Sequence, residues 1–133
     1  MRYPVVLHKD IDSDFGIAAP DIPGCFSAGS TVDEAINNLR EAIDCHLELL
    51  AEDGNLAPPA STVDLHISDP DYDNGIWAYV DIDVTPYLGK SEKVNVSLPA
   101  LLIKQIDGLV SDGKAKSRSA YLAESAVINI STG

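Results

Sequence analysis

Apolar and polar positions along the chain follow two rhythms. A period of two opens it. Tyr3, Val5 and Leu7 alternate with Pro4, Val6 and His8, which predicts a strand over 3–8. Pro4 fits near a strand start or on an edge. Phe15–Ala19 predicts a second strand, joined to the first as a hairpin by the polar turn Lys9–Asp14. Pro20–Gly24 is a rigid connector and Cys25–Ala28 a short third strand. A period of 3.6 then takes over. Ala35, Ile36, Leu39, Ala42, Ile43, Leu47 and Leu50 make one apolar stripe, with Asn37, Glu41, Asp44 and Glu48 opposite. Thr31 and Glu34 form a capping-box pattern at the helix start, Asp53-Gly54 ends the helix, and Pro58-Pro59 prevents its resumption. Thr62–Ile67 predicts a fourth strand and Ser68–Gly75 an acidic loop. Ile76–Val84 predicts a fifth strand, with Ile76, Ala78, Val80, Ile82 and Val84 on one face and Trp77, Tyr79, Asp81 and Asp83 on the other. The order β-β-β-α-β-β describes an α+β layer in which one helix covers one sheet face, leaving the face with Trp77 and Tyr79 open to a partner.

The last third changes character. Lys93-Val94-Asn95-Val96-Ser97 alternates as a single short strand. Leu98-Pro99 leads into a helix through Leu102, Ile106, Leu109 and Val110, and Asp112-Gly113 closes it. Ser117 caps a second helix with Leu122, Ala126 and Ile130 as its apolar stripe. A segment of about 40 residues is close to the lower limit for independent folding, and a lone strand is an unpaired edge. Pairing two chains through antiparallel strands resolves both. That arrangement resembles the ribbon-helix-helix DNA-binding fold, in which paired strands enter the major groove. Lys93, Asn95 and Ser97 would then read base edges, and Ser117, Arg118 and Ser119 would meet a phosphate at the second helix start. A strand on an ordinary sheet backed by a helical hairpin is the plainer reading.

Charge divides the chain at the same place. Residues 1–89 hold three basic and 17 acidic residues, a net of −14; residues 90–133 hold six basic and four acidic, a net of +2. The acidic part suits a basic partner and the basic part suits DNA. The domains expected are therefore 1–88 and 89–133, with Thr85–Glu92 as linker. No apolar run reaches the length of a membrane span, and the N-terminus lacks the regions of a signal peptide, so a cytoplasmic location is expected. Cys25 and Cys45 read as reduced, inert thiols.

The run Pro20-Asp21-Ile22-Pro23-Gly24-Cys25-Phe26-Ser27-Ala28-Gly29, followed by Thr31-Val32-Asp33-Glu34-Ala35 and the helix through Glu48, resembles the HicB antitoxin family. So does Asp69-Pro70 leading into Gly75-Ile76-Trp77-Ala78-Tyr79-Val80-Asp81. The resemblance implies an N-terminal domain similar to a partial ribonuclease H fold without catalysis, followed by a ribbon-helix-helix tail. It also implies binding to a small basic HicA-type toxin that cleaves messenger RNA using a histidine, repression of the shared operon through operator DNA, and a homodimer with the option of a tetramer. No cofactor, metal or enzymatic activity is expected.

Glu41, Asp44 and Glu48 are the acidic candidates to face such a toxin, and Trp77 and Tyr79 the aromatic ones. A solvated helix face is the commoner fate of such acids, and packing against a neighbouring loop or a second copy of the chain accounts equally for the aromatics. Asp10, Asp12 and Asp14 do not match a calcium loop, because Phe15 stands where the turn needs glycine and Asp21 where it needs glutamate. His8, His46 and His66 are scattered, and spacing assigns no serine–histidine–acid arrangement. A repressor that senses a ligand or partner, with no toxin, is the alternative function; a neighbouring gene for a small basic protein separates the two.

Overall fold

The hairpin and the long helix form as the two rhythms predict. In the computed structural model, which describes residues 1–132, β1 (Arg2–Lys9) pairs antiparallel with β2 (Phe15–Ala18), and β2 with β3 (Phe26–Gly29). Then come α1 (Val32–Glu52), a short α2 (Val63–His66) and β4 (Ile76–Asp81), which pairs antiparallel with β1. The sheet order is β3-β2-β1-β4, so β1 is central. Pro4 sits opposite Tyr79 of β4, while pairing to β2 begins only at Val6. On that side Pro4 faces no ladder, and its missing N–H costs nothing. The domain predicted to end at Gly133 reaches one residue outside the described residues.

The chain divides into two compact units, Met1–Gly89 and Lys90–Gly133. In the first, Ala35, Leu39, Ile43 and Leu47 of α1 pack on Tyr3, Val5, Leu7, Ile17, Val80 and Ile82. The Thr31 hydroxyl accepts from the Glu34 N–H at 3.1 Å, half of the capping box. The Glu34 carboxylate accepts from Ser30 instead of returning to Thr31. Two side chains fasten α1 across the sheet. Asn38 donates to the Ala28 carbonyl at 2.8 Å, and Arg40 to the Asp81 carbonyl at 3.0 Å, so both edge strands are held. Ile22-Pro23-Gly24-Cys25 is a tight turn closed by the Cys25 N–H on the Ile22 carbonyl, with Gly24 at φ +77°. Proline and glycine take the positions that a type II turn demands. Gly29 is needed for another reason: a methyl there would overlap the backbone of Glu34 and Ala35 at the start of α1.

Two expectations are corrected in this unit. Thr62–Ile67 is not a strand; its centre is α2. Leu65 and Ile67 are 71% and 55% exposed. The sheet's second face is roofed in part: His66 and Tyr72 pack on Trp77, while Tyr79 stays 39% exposed with its hydroxyl accepting from the Val63 N–H. This is why Pro4 and Val6 are as buried as Tyr3 and Val5. The last strand is shorter than predicted and ends at Asp81; Ile82 continues the pairing by exchanging bonds with Met1 alone.

In the second unit α3 (Ala100–Ser111) and α4 (Arg118–Thr132) form the helical hairpin, with Gly113 at φ +74° in the turn. Lys93–Ser97 carries no strand in the single chain. A ladder needs a second strand, and the unit offers none. Ile106 of α3 and Val127 of α4 are buried. Of the predicted stripe on α4, Leu122 is half-buried while Ala126 and Ile130 face solvent; Val127 takes the inward position instead.

Candidate partner-binding surfaces

Three surfaces hold the sequence-predicted residues. The first is the acidic side of α1. Glu41, Asp44 and Glu48 are all exposed. Asp44 is not simply solvated: the Tyr87 hydroxyl donates to its Oδ1 at 2.7 Å. Tyr87 lies on a 3-10 turn, Thr85–Tyr87, that closes the first unit. Burial pushes its hydroxyl up to about 12, helped by the bond to Asp44 and the charges of Asp44, Glu48 and Asp83. Between this turn and the end of α1 lies a cleft of about 540 Å³, lined by Glu48, Glu52, Asn55, Leu56, Tyr87 and Leu88 among others.

The second surface is the roofed side of β4. The His66 ring stacks on Trp77 (centroids 6.2 Å apart, planes 10° off parallel), and Tyr72 meets the same indole edge-on at 5.6 Å. The Tyr79 hydroxyl accepts from the Val63 N–H at 3.0 Å, and the Arg2 guanidinium lies 4.0 Å above its ring. Asp21 anchors the roof. Its carboxylate accepts from the Ser61 N–H at 2.6 Å and the Ser61 hydroxyl at 2.7 Å, and lies 2.8 Å from His66 Nε2. The Tyr72 hydroxyl is raised by burial first, then by Asp69, Asp71 and Asp21. Serine, histidine and aspartate do meet here, which no spacing announced. They do not form a relay, because Ser61 Oγ and Asp21 Oδ1 contact the same ring nitrogen. The cluster ties a loop to a roof across 45 residues of chain. A proline on either side of Asp21 was a sign of a fixed loop, but nothing in the pattern pointed to His66.

The third surface is the second unit. Lys93, Asn95 and Ser97 are exposed, and so are the valines between them, Val94 at 71% and Val96 at 63%. The Ser117 hydroxyl caps α4 by accepting from the Ala120 N–H at 3.0 Å. Arg118 is engaged within the chain. Its Nε and one terminal nitrogen donate to the two carboxylate oxygens of Asp107 at 3.1 and 2.8 Å. The paired hydrogen bonds hold the Asp107 carboxyl below its usual range and raise Arg118. Ser119 is exposed beside it. Among the described residues no group of histidine, cysteine and acidic side chains could hold a metal, and Asp10, Asp12 and Asp14 fall in a turn fastened by Ser13. No helix among the described residues is long and apolar enough to cross a membrane. Cys25 is buried, and burial raises its thiol, which makes it a poor nucleophile.

A four-stranded antiparallel sheet under one long helix, with an acidic surface and a helical-hairpin tail, describes a protein of mixed α+β class. The chain belongs to the HicB-like antitoxin family of bacterial toxin–antitoxin systems, whose sequence profile matches residues 3–126. It is similar to the crystal structure of the Burkholderia pseudomallei antitoxin HicB, with 40% identity, 96% of each chain covered and a TM-score of 0.81. The crystal structure of antitoxin HicB3 is 34% identical over 98% of each chain, with a TM-score of 0.75. A chain from a HicA3–HicB3 toxin–antitoxin complex is 36% identical, covering 62% of this chain and 99% of that one, with a TM-score of 0.52. An uncharacterised 14.9 kDa protein of Haemophilus phage HP1 is 39% identical over 125 residues, 93% of each.

Proposed function

We propose that the first unit neutralises a HicA-type messenger-RNA-cleaving toxin by covering its active surface, and that the second unit represses the operon that encodes both. On this reading the first unit is a partial ribonuclease H-like domain. The second is a ribbon-helix-helix domain completed by a second copy of the chain. The observation that carries the reading is the imbalance of the second unit. It buries Ile106 and Val127 yet exposes Val94, Val96, Leu101, Leu102, Ile128 and Ile130. Apolar exposure on that scale in so small a unit marks a surface that another chain covers. Strand pairing between two copies would bury Val94 and Val96 and present Lys93, Asn95 and Ser97 together to a major groove. The toxin half is supported by family membership and by the excess of 17 acidic over three basic residues in 1–89.

Co-expression with the adjacent small open reading frame tests the toxin half. Growth arrest by the neighbour alone, relieved by this chain with co-purification of the two, is expected; no arrest and no complex rejects it. Binding to a duplex from the upstream promoter tests the other half. Asn95→Ala should weaken specific binding by about 1–3 kcal/mol. Arg118→Ala should weaken all duplexes alike and flatten the salt dependence, the guanidinium exchanging Asp107 for a phosphate on binding. Unchanged affinity in both variants rejects the assigned docking face.

A further inference from the structure

The end of α1 breaks the usual rule for a helix C-terminus. The backbone carbonyls there carry partial negative charge, and basic side chains are favoured beside them. The last turn of this helix holds no basic residue. It holds Glu52 instead, with Glu48 one turn before it and Asp53 as the capping residue. These like charges act against the helix within the single chain. They stand at the mouth of the cleft formed with the Thr85–Tyr87 turn, whose other lining residues include Leu56 and Leu88, each 37% exposed. Among the lining residues none is basic. Tyr87 is itself fixed to α1 by its bond to Asp44 Oδ1, one turn before Glu48; Asp44 does not line the cleft.

An apolar wall beneath a ring of acids has one natural occupant. Arginine and lysine carry an aliphatic stem that packs on apolar surface and a charged head that stays at the polar rim. We propose that this cleft seats a basic side chain of the toxin, its stem on Leu56 and Leu88 and its charge against Glu48 and Glu52. The cation would offset the repulsion between Glu48 and Glu52. The proposal rests on the toxin-binding reading and gives it a location: of the long acidic side of α1, the C-terminal end does most of the holding, and Glu41 does little.

The experiment uses the full chain and the co-purified neighbouring gene product, with affinity measured by calorimetry at two salt concentrations. Glu48→Gln and Glu52→Gln together should weaken binding at least tenfold and reduce its salt dependence. Leu56→Lys, which places the chain's own cation in the cleft, should weaken it at least as much. Asp10→Asn and Asp64→Asn, which remove the same charge elsewhere, should change it less than twofold. Melting curves of each variant check that the fold survives. Equal losses from the cleft and control variants would mean that only net charge matters and would overturn the proposal. So would parental affinity in the Leu56→Lys chain. Failure of the unaltered chain to bind removes the toxin-binding reading itself, and the proposal with it, and so differs from either outcome.

Discussion

The first unit closes over its own core, and the second does not. Around β1 the side chains are buried on both sheet faces, by α1 on one and by the Ser61–Tyr72 roof on the other. The long helix is hooked to both edge strands through Asn38 and Arg40. In the second unit two helices share Ile106 and Val127, and the segment before them exposes alternate valines. The same kinds of pattern run through both halves, so amphipathic periodicity alone does not tell whether a surface is covered from within or from without. What separates them is the amount of chain available to do the covering. Eighty-nine residues can supply a sheet, a helix and a roof; about 40 cannot.

The largest test of the contrast is Ile43→Ala, at a fully buried position of α1. It should cost about 2–5 kcal/mol and lower the melting temperature equally at every protein concentration. A concentration-dependent shift would mean that the first unit, too, is completed by a partner. Next comes Val96→Lys. If the valine is meant for solvent, the change should stay within about 0.5 kcal/mol. If it pairs across a dimer, a buried, unpaired charge should cost about 3 kcal/mol, roughly two orders of magnitude in the dimerisation constant read by sedimentation. The second outcome is expected, with melting of the first unit unmoved.

The smallest effect is a local one. The Tyr3 hydroxyl donates to the Pro58 carbonyl at 2.7 Å, and burial, with the charge of Asp21, pushes it up to about 12. Tyr3→Phe should cost about 1 kcal/mol at pH 8. The folded phenol holds its proton more tightly than the unfolded one, so this contribution is intact below pH 10 and fades as pH rises towards 12. Urea midpoints of parent and variant should therefore converge across that window. Tyr87, also raised, is present in both chains and cancels in the difference. A gap that widens with pH would reverse the assignment.

Much of the first unit was legible because its signals are local. Thr31 caps α1, Gly54 ends it at φ +78°, and the hairpin follows its own alternation. The roof was illegible for the opposite reason. Val63, Leu65 and Ile67 alternate as a strand would, yet the segment is fixed by Asp21 and Tyr79, 45 residues before His66 and 16 after Val63. Long-range ties of that kind leave no period in the sequence. Tyr87 and Asp107 were missed alike, since each matters only through a carboxylate or guanidinium that folding brings to it. The five-residue run at Lys93 reads as a strand, and the single chain leaves it without one.

A tail whose own core is little more than Ile106 and Val127, with the Arg118–Asp107 pair across its helices, would under the proposed pairing have a lifetime set by abundance. For a unit finished by pairing, folding and assembly are one equilibrium, and its stability falls with the number of copies. On the proposed reading, dilution through growth would open this end of the molecule first and offer its backbone to proteases, while the self-contained end stayed closed. Operator occupancy, if it takes two tails, would then decline more steeply than toxin neutralisation by one closed unit. The gene would be switched back on before the supply of inhibitor ran out.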